Sequence, residues 1–121
     1  MYNKVILMGR IANDLEIKTT PAGVSVLSFS LAVERNYAPK GEERQTDFIK
    51  CVAWRQTAEF ISKFFVNGSM ILVEGELQTR QYQNKDGKNV TATEVIISSS
   101  SFTGEKKTDS AYGSTDRNAH K

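Results

Sequence analysis

The first hundred positions of this chain contain several stretches rich in apolar and β-branched residues, and large apolar residues alternate with small ones over residues 27–33. A β-strand sends successive side chains to opposite faces of its sheet, so this alternation predicts strands that are buried on one face. Strands are predicted over residues 3–11, 24–35, 46–54 and 69–80, with two hairpin arms at 77–83 and 90–97. Asp86 and Gly87 stand between those arms, and an Asp-Gly pair in that position predicts a β-hairpin.

Helical spacing predicts an α-helix over residues 56–67. Ala58, Ile61 and Phe65 recur there at the helical period, and Gly68 suits the left-handed position that ends a helix. The element order is then three strands, one helix and two strands. That order predicts an all-β fold, the five-stranded OB-fold Greek-key barrel with one α-helix between strands 3 and 4. The competing folds, an SH3-like barrel or a small sandwich, do not usually carry an amphipathic helix at that point.

The length of 121 residues and the hydrophobic content of 39% fit one domain with a modest core. We assign this domain to residues 1–102. The remainder, residues 103–121, contains one aromatic residue and no aliphatic residue larger than alanine. A segment this polar cannot bury enough apolar area to offset its ordering entropy, so a disordered polar tail is expected.

The charge balance narrows the class of protein. The chain has 16 basic and 14 acidic residues and a net charge of +2. This excludes a histone-like polycation but leaves nucleic-acid binding open, because local charge pattern matters more than the total. The single cysteine, Cys51, cannot form an internal disulfide, and the sequence shows neither a signal peptide nor a membrane span. A cytoplasmic protein is therefore expected.

Four aromatic residues stand among polar neighbours, where core packing does not require them. They are Tyr37, Phe48, Trp54 and Tyr82. In strand 46–54, Phe48 and Trp54 share one face with Lys50 and Val52, whereas Cys51 lies on the opposite, core face. Exposed rings beside a cation favour a surface that stacks bases and attracts phosphates. Most aromatics in a small β domain are core residues instead, as expected here for Phe29, Phe60, Phe64 and Phe65.

Six cations lie near the four rings and are candidate phosphate ligands. They are Lys40, Lys50, Arg55, Arg80, Lys85 and Lys88. Any one of them taken alone is as well explained by a solvated surface charge. Together with the rings they predict binding of a single-stranded nucleic acid, with cations along the backbone and rings on the bases. No residue pattern indicates base-edge readout, so weak sequence specificity is expected.

The sequence gives little support for catalysis, and no cofactor is expected. The only histidine, His120, falls in the expected tail, and no zinc spacing or phosphate loop occurs. Glu74 and Glu76 share a strand face and could hold Mg²⁺. A solvated or ion-paired sheet face explains them better. Two alternatives remain: a metal-dependent nuclease that uses these two carboxylates, and a replication-restart or recombination accessory OB protein that acts through protein contacts.

Several short motifs resemble those of one known family. They are Asn-Lys-Val-Ile-Leu-Met-Gly-Arg at 3–10, Thr-Asp-Phe at 46–48, Val-Ala-Trp-Arg at 52–55, Gly-Ser at 68–69, Val-Glu-Gly-Glu-Leu-Gln-Thr-Arg at 73–80 and Thr-Glu-Val at 93–95. Together they resemble bacterial single-stranded DNA-binding protein, in register over residues 1–102. The resemblance implies an OB-fold homotetramer wrapped by single-stranded DNA, which acts in replication, recombination and repair.

The resemblance also implies roles for particular residues. It places the four exposed aromatics at the base-stacking positions of the family, with Trp54 where phenylalanine is common and the other three where tryptophan is common. Lys40, Lys50 and Arg80 match basic positions that meet the DNA backbone.

The chain departs from the family pattern in two respects. Val66, Asn67 and Gln81 are neutral where better-known members carry cations. For single strands, each phosphate contact adds about −0.7 to the slope of log affinity against log salt concentration. Fewer cations mean fewer phosphate contacts, so a flatter salt dependence is expected. The tail carries four basic and three acidic residues and lacks the acidic tip with which typical members recruit replication and repair enzymes. Recruitment of such enzymes through a tip is therefore not expected.

Overall fold

The structure is a computed structural model that describes residues 1–104. Within these residues it has six strands and one helix. Their bounds are β1 Val5–Ile11, β2 Lys18–Thr19, β3 Ser25–Glu34, β4 Thr46–Trp54, α1 Arg55–Phe64, β5 Met70–Gln83 and β6 Asn89–Ser101. The tail predicted for residues 103–121 lies outside the described residues from position 105 onward. The one helix in the described part of the chain is not long and apolar enough to cross a membrane.

The strands form one sheet that closes on itself. The order across the sheet is β1-β5-β6-β4-β3-β2, and β1 also pairs with β3 at Arg10 and Ile11. All neighbours are antiparallel except β4 and β6, which run parallel where Cys51 pairs with Val95. The predicted OB barrel with a helix after its third long strand is confirmed. The two-residue β2 was not predicted, because two residues carry no periodicity.

The core fills the inside of the barrel and the space under the helix. Its fully enclosed side chains come from every long strand and from α1. The largest are Ile11, Leu27, Leu31, Cys51, Ile61, Ile71, Val73 and Val95. The alternation expected for β3 is confirmed, since Leu27, Phe29 and Leu31 are buried and the residues between them are more exposed. The opposite faces of the strands are therefore the outer surface on which a ligand-binding site can lie.

The second half of β5 extends beyond the barrel as the predicted hairpin. The pairing register of β5 with β6 shifts at Glu74 and Gly75, a β-bulge. A Cβ at Gly75 would overlap the carbonyl oxygen of Ile96, so the two backbones approach closely there. From Glu76 onward every residue of β5 is exposed. The hairpin thus carries Arg80 and Tyr82 out along the outer surface.

The helix is shorter than its periodicity predicts. It ends at Phe64, and Phe65 is extended, with φ −128° and ψ 159°. This extended backbone takes Phe65 into the core, where it is 4% exposed. The expectation that Phe64 is also a core residue is wrong, since it is 40% exposed. Phe64 instead lies at the rim, with its ring edge-on to Phe102 at a centroid distance of 6.0 Å.

Candidate nucleic-acid interface

The outer face of β4 carries two of the predicted stacking residues. Phe48 is 68% exposed and Trp54 is 42% exposed. Lys50 lies between them and is also exposed. Val52, expected on the same face, is only 6% exposed. The reason is its central place in the sheet, because it pairs with Ser28 of β3 on one side and with Ile96 of β6 on the other.

The other two predicted rings come from the loop before β4 and from β5. Tyr82 is 45% exposed on β5, where the Arg80 guanidinium carbon lies 5.3 Å from the centroid of its ring. This distance is within the range of a cation–π contact. Tyr37 is 76% exposed in the loop between β3 and β4. All four aromatic rings are therefore exposed in the structure, as expected, and their role in base stacking stays a prediction.

A bidentate ion pair fixes the base of the loop that carries Tyr37. Arg35 donates from Nε to Asp47 Oδ2 at 2.9 Å and from Nη2 to Asp47 Oδ1 at 3.0 Å. The Arg35 amide also donates to the Gln45 carbonyl oxygen at 2.8 Å. The hydrogen bond from Arg35 lowers the pKa of the Asp47 carboxyl. Sequence reasoning missed this clamp, because the two residues are 12 positions apart and meet only when β3 pairs with β4.

Three strands place Lys50, Glu94 and Arg80 side by side. β6 lies between β4 and β5, and Glu94 on β6 has Lys50 on one side and Arg80 on the other. The Glu94 Oε2 atom lies 3.2 Å from Arg80 Nε and 3.9 Å from Lys50 Nζ. Glu94 is only 6% exposed. It belongs to the Thr-Glu-Val motif at 93–95, but its sequence neighbours did not predict this contact with the two cations. Its position between two predicted phosphate ligands follows from the pairing of β6 with β5 on one side and with β4 on the other.

The remaining predicted cations lie around the edges of this face. Lys40 is exposed in the β3–β4 loop, and Lys85 and Lys88 are exposed in the turn between β5 and β6. Arg55 begins the helix with φ +57° and lines a cleft of about 650 Å³ together with Trp54. Within residues 1–104 none of these four forms a hydrogen bond or ion pair with Lys50, Glu94 or Arg80. The structure thus groups two of the six cations and distributes the others.

The residues considered for catalysis have ordinary structural partners. Glu74 lies 3.1 Å from Lys4 Nζ, and that contact lowers the pKa of its carboxyl. Glu76 accepts a hydrogen bond from the Gln78 side chain at 2.6 Å. Among the described residues no group of three or more His, Cys, Asp or Glu side chains could hold a metal ion. Burial raises the pKa of the Cys51 thiol to about 12, which makes it a poor nucleophile near neutral pH.

A small OB barrel with exposed rings and cations on its outer surface has the architecture of a single-strand nucleic-acid-binding domain. The model of the Single-strand binding protein family matches residues 2–103 of the chain. The chain belongs to this family, whose members are binding proteins and not enzymes.

Similar proteins of known name cover most of the chain. Single-stranded DNA-binding protein 2 of Listeria monocytogenes is 45% identical over 98% of this chain and 73% of its own length. Single-stranded DNA-binding protein 1 of Staphylococcus aureus is 44% identical over 90% of this chain and 70% of its own length. The single-stranded DNA-binding protein of Bacillus cereus is 47% identical over 84% of this chain, and the match spans 60% of the Bacillus protein.

Proposed function

We propose that this protein binds and protects single-stranded DNA with little sequence specificity. The observation that carries the proposal is the exposure of four aromatic rings, from 42% for Trp54 to 76% for Tyr37, beside exposed cations. Large rings are normally buried in a folded domain, so rings exposed next to cations indicate a ligand with flat faces and negative charge. Single-stranded DNA has both properties, and the names of the similar proteins support this choice.

Each part of the face has its own role in this mechanism. The rings of Tyr37, Phe48, Trp54 and Tyr82 stack on bases, which tolerates any sequence because every base has a π-face. Lys50 and Arg80 neutralise phosphates at the centre of the face, and Lys40, Arg55, Lys85 and Lys88 do so around its edges. In single-strand binding proteins of this kind, stacking is worth about 1–3 kcal/mol per base.

We also propose that the protein assembles as a homotetramer. β1 pairs with β5 from Val5 to Arg10 but with β3 only at Arg10 and Ile11. Within the described residues the other edge of β1 is therefore unpaired over residues 5–9. Ile6 and Met8 on this strand are 59% and 54% exposed. An unpaired edge with exposed apolar side chains is a surface that a second copy of the chain can cover. Sedimentation at a mass of four chains would support the assembly, whereas a monomer would contradict it.

The cellular role that fits this activity is in DNA replication, recombination and repair, at the nucleoid in the cytoplasm. A protein that occupies bases and phosphates keeps exposed strands from forming hairpins and from being cut by nucleases. The reaction is binding alone and needs no cofactor.

The test is binding of fluorescently labelled oligo-dT, measured by anisotropy, with duplex of the same length as the competitor. We expect saturable binding to the single strand that weakens with salt and that duplex displaces poorly. No binding by folded protein would contradict the proposal. The accessory OB protein that acts through protein contacts would then be the better explanation.

A further inference from the structure

A buried carboxylate lies in the floor of the proposed DNA-binding face. Glu94 is 6% exposed, although the next residue along the strand, Val95, points into the barrel core. The alternation of β6 therefore turns Glu94 to the same outer surface as Lys50 and Arg80. Neither base stacking nor phosphate neutralisation explains a negative charge at this place.

Strand pairing places Glu94 between the two cations. Gln78 of β5 pairs with Glu94, so Arg80, two residues further along, is its diagonal neighbour on the same face. On the other side Cys51 pairs with Val95, which puts Lys50 beside Glu94. Both cations approach one oxygen, Oε2, with Arg80 Nε at 3.2 Å and Lys50 Nζ at 3.9 Å.

The two cations are far more exposed than the carboxylate they share. The side chains of Lys50 and Arg80 are 47% and 55% exposed, against 8% for that of Glu94. A buried charge is tolerated only when it is paired, and here two cations pair with one anion. In a surface that attracts phosphates, the same carboxylate also repels the ligand. Glu94 thus lowers the positive potential of the face. It can favour DNA binding only if it improves the geometry of the cations.

The contacts of Arg80 show how the geometry is improved. Its Nε donates to Glu94, and its guanidinium carbon lies 5.3 Å from the ring centroid of Tyr82. These two neighbours hold the guanidinium between them. Within residues 1–104 its two terminal nitrogens have no protein partner, so both remain available to a phosphate. Arginine binds phosphate best through two parallel hydrogen bonds, which require a fixed orientation of this kind.

We propose that Glu94 is a positioning residue for DNA binding. Its carboxylate orients the Arg80 guanidinium for a bidentate phosphate contact and keeps it against the ring of Tyr82. This inference rests on the proposed function, because it concerns how the same face holds single-stranded DNA.

The first test is E94Q, which keeps the size and one acceptor oxygen of the side chain but removes its charge. If Glu94 were only a negative charge near the DNA, this change would tighten oligo-dT binding. Positioning predicts the opposite sign, with the dissociation constant raised about threefold to tenfold because the hydrogen bond that holds Arg80 loses its charge assistance. Tighter binding, or no change, would overturn the proposal.

A double-mutant cycle separates positioning from a general structural role. R80Q is measured in the wild-type and E94Q backgrounds, with R55Q as the matched control, because Arg55 does not contact Glu94 within the described residues. We expect R80Q to weaken binding by a clearly smaller factor in the E94Q background, whereas R55Q weakens it by the same factor in both. Equal factors for R80Q in the two backgrounds would overturn the proposal.

A measurement on the wild-type protein covers the case in which E94Q does not fold. The side-chain Nε–H signal of Arg80 in NMR should be protected from solvent exchange before DNA is added, and that of Arg55 should not. Rapid exchange at Arg80 would overturn the proposal. Wild-type protein that does not bind oligo-dT would refute the proposed function and this inference together. Binding without coupling between positions 80 and 94 would refute this inference alone.

Discussion

Replacing Phe48 with alanine should weaken DNA binding while leaving the fold almost intact. Phe48 is 68% exposed, so about a third of its surface is covered in the free protein. Full burial of such a side chain is worth about 1.5–3 kcal/mol, and a third of that predicts a loss of about 0.5–1 kcal/mol in the free energy of unfolding. The lost stacking of one base is worth about 1–3 kcal/mol, which raises the dissociation constant about fivefold to 150-fold.

The assay is anisotropy of labelled oligo-dT for binding, with urea unfolding of the same samples for stability. Phe64→Ala is the matched control, because Phe64 is 40% exposed but lies on α1 in the ring cluster with Phe102. It should leave DNA affinity unchanged. Phe29→Ala should instead destabilise the fold strongly. Its ring is 2% exposed, and removal of a buried ring costs about 3–5 kcal/mol of stability. Unchanged affinity of Phe48→Ala, or an equal loss in Phe64→Ala, would refute the stacking role.

Three further predictions concern the fold around this face. The pKa of the Asp47 carboxyl is lowered beside Arg35 in the folded protein. The ionised carboxyl therefore stabilises the fold fully above its unfolded-state pKa, near pH 4, and this stabilisation is lost as the pH falls through the folded-state pKa. Urea unfolding should therefore show wild type more stable than Asp47→Asn at pH 7, and a difference that stays the same at pH 2 would contradict this. Gly75→Ala should destabilise the protein by about 1–3 kcal/mol, because the added Cβ meets the Ile96 carbonyl oxygen; an unchanged thermal midpoint would exclude that close approach. Cys51, with a thiol pKa of about 12, should react with a disulfide reagent at pH 8 about a thousandfold more slowly in native buffer than in urea, and equal rates would show that it is not buried.

The parts of this protein that sequence predicts well are those set by local periodicity. Strand 46–54 has the same bounds in the structure as in the prediction, because a polar loop precedes it and the helix begins directly after Trp54. The exposure of Tyr82 also follows from its polar neighbours along the chain. Such features depend on residues a few positions apart, and period-two and helical patterns report them directly.

The parts that sequence misses depend on which strands become neighbours. Val52 has the outward alternation of its strand but is buried, because β3 and β6 pair with it on both sides. Glu94 belongs to a motif of the family resemblance, but its contact with Lys50 and Arg80 arises only because β6 lies between β4 and β5. The helix end was misplaced for a similar reason, since Phe65 becomes extended to reach a core that is built by distant strands.

The most direct measurement uses the only tryptophan of the chain. Trp54 is 42% exposed on the face that we assign to base stacking, so its fluorescence reports contact with a base. Folded protein is titrated with oligo-dT at low and at high salt, with selective excitation of tryptophan. We expect strong, saturable quenching with a dissociation constant that rises with salt, because stacking and phosphate contacts act together. Unchanged fluorescence in protein that remains folded would contradict the assignment of this face to single-stranded DNA.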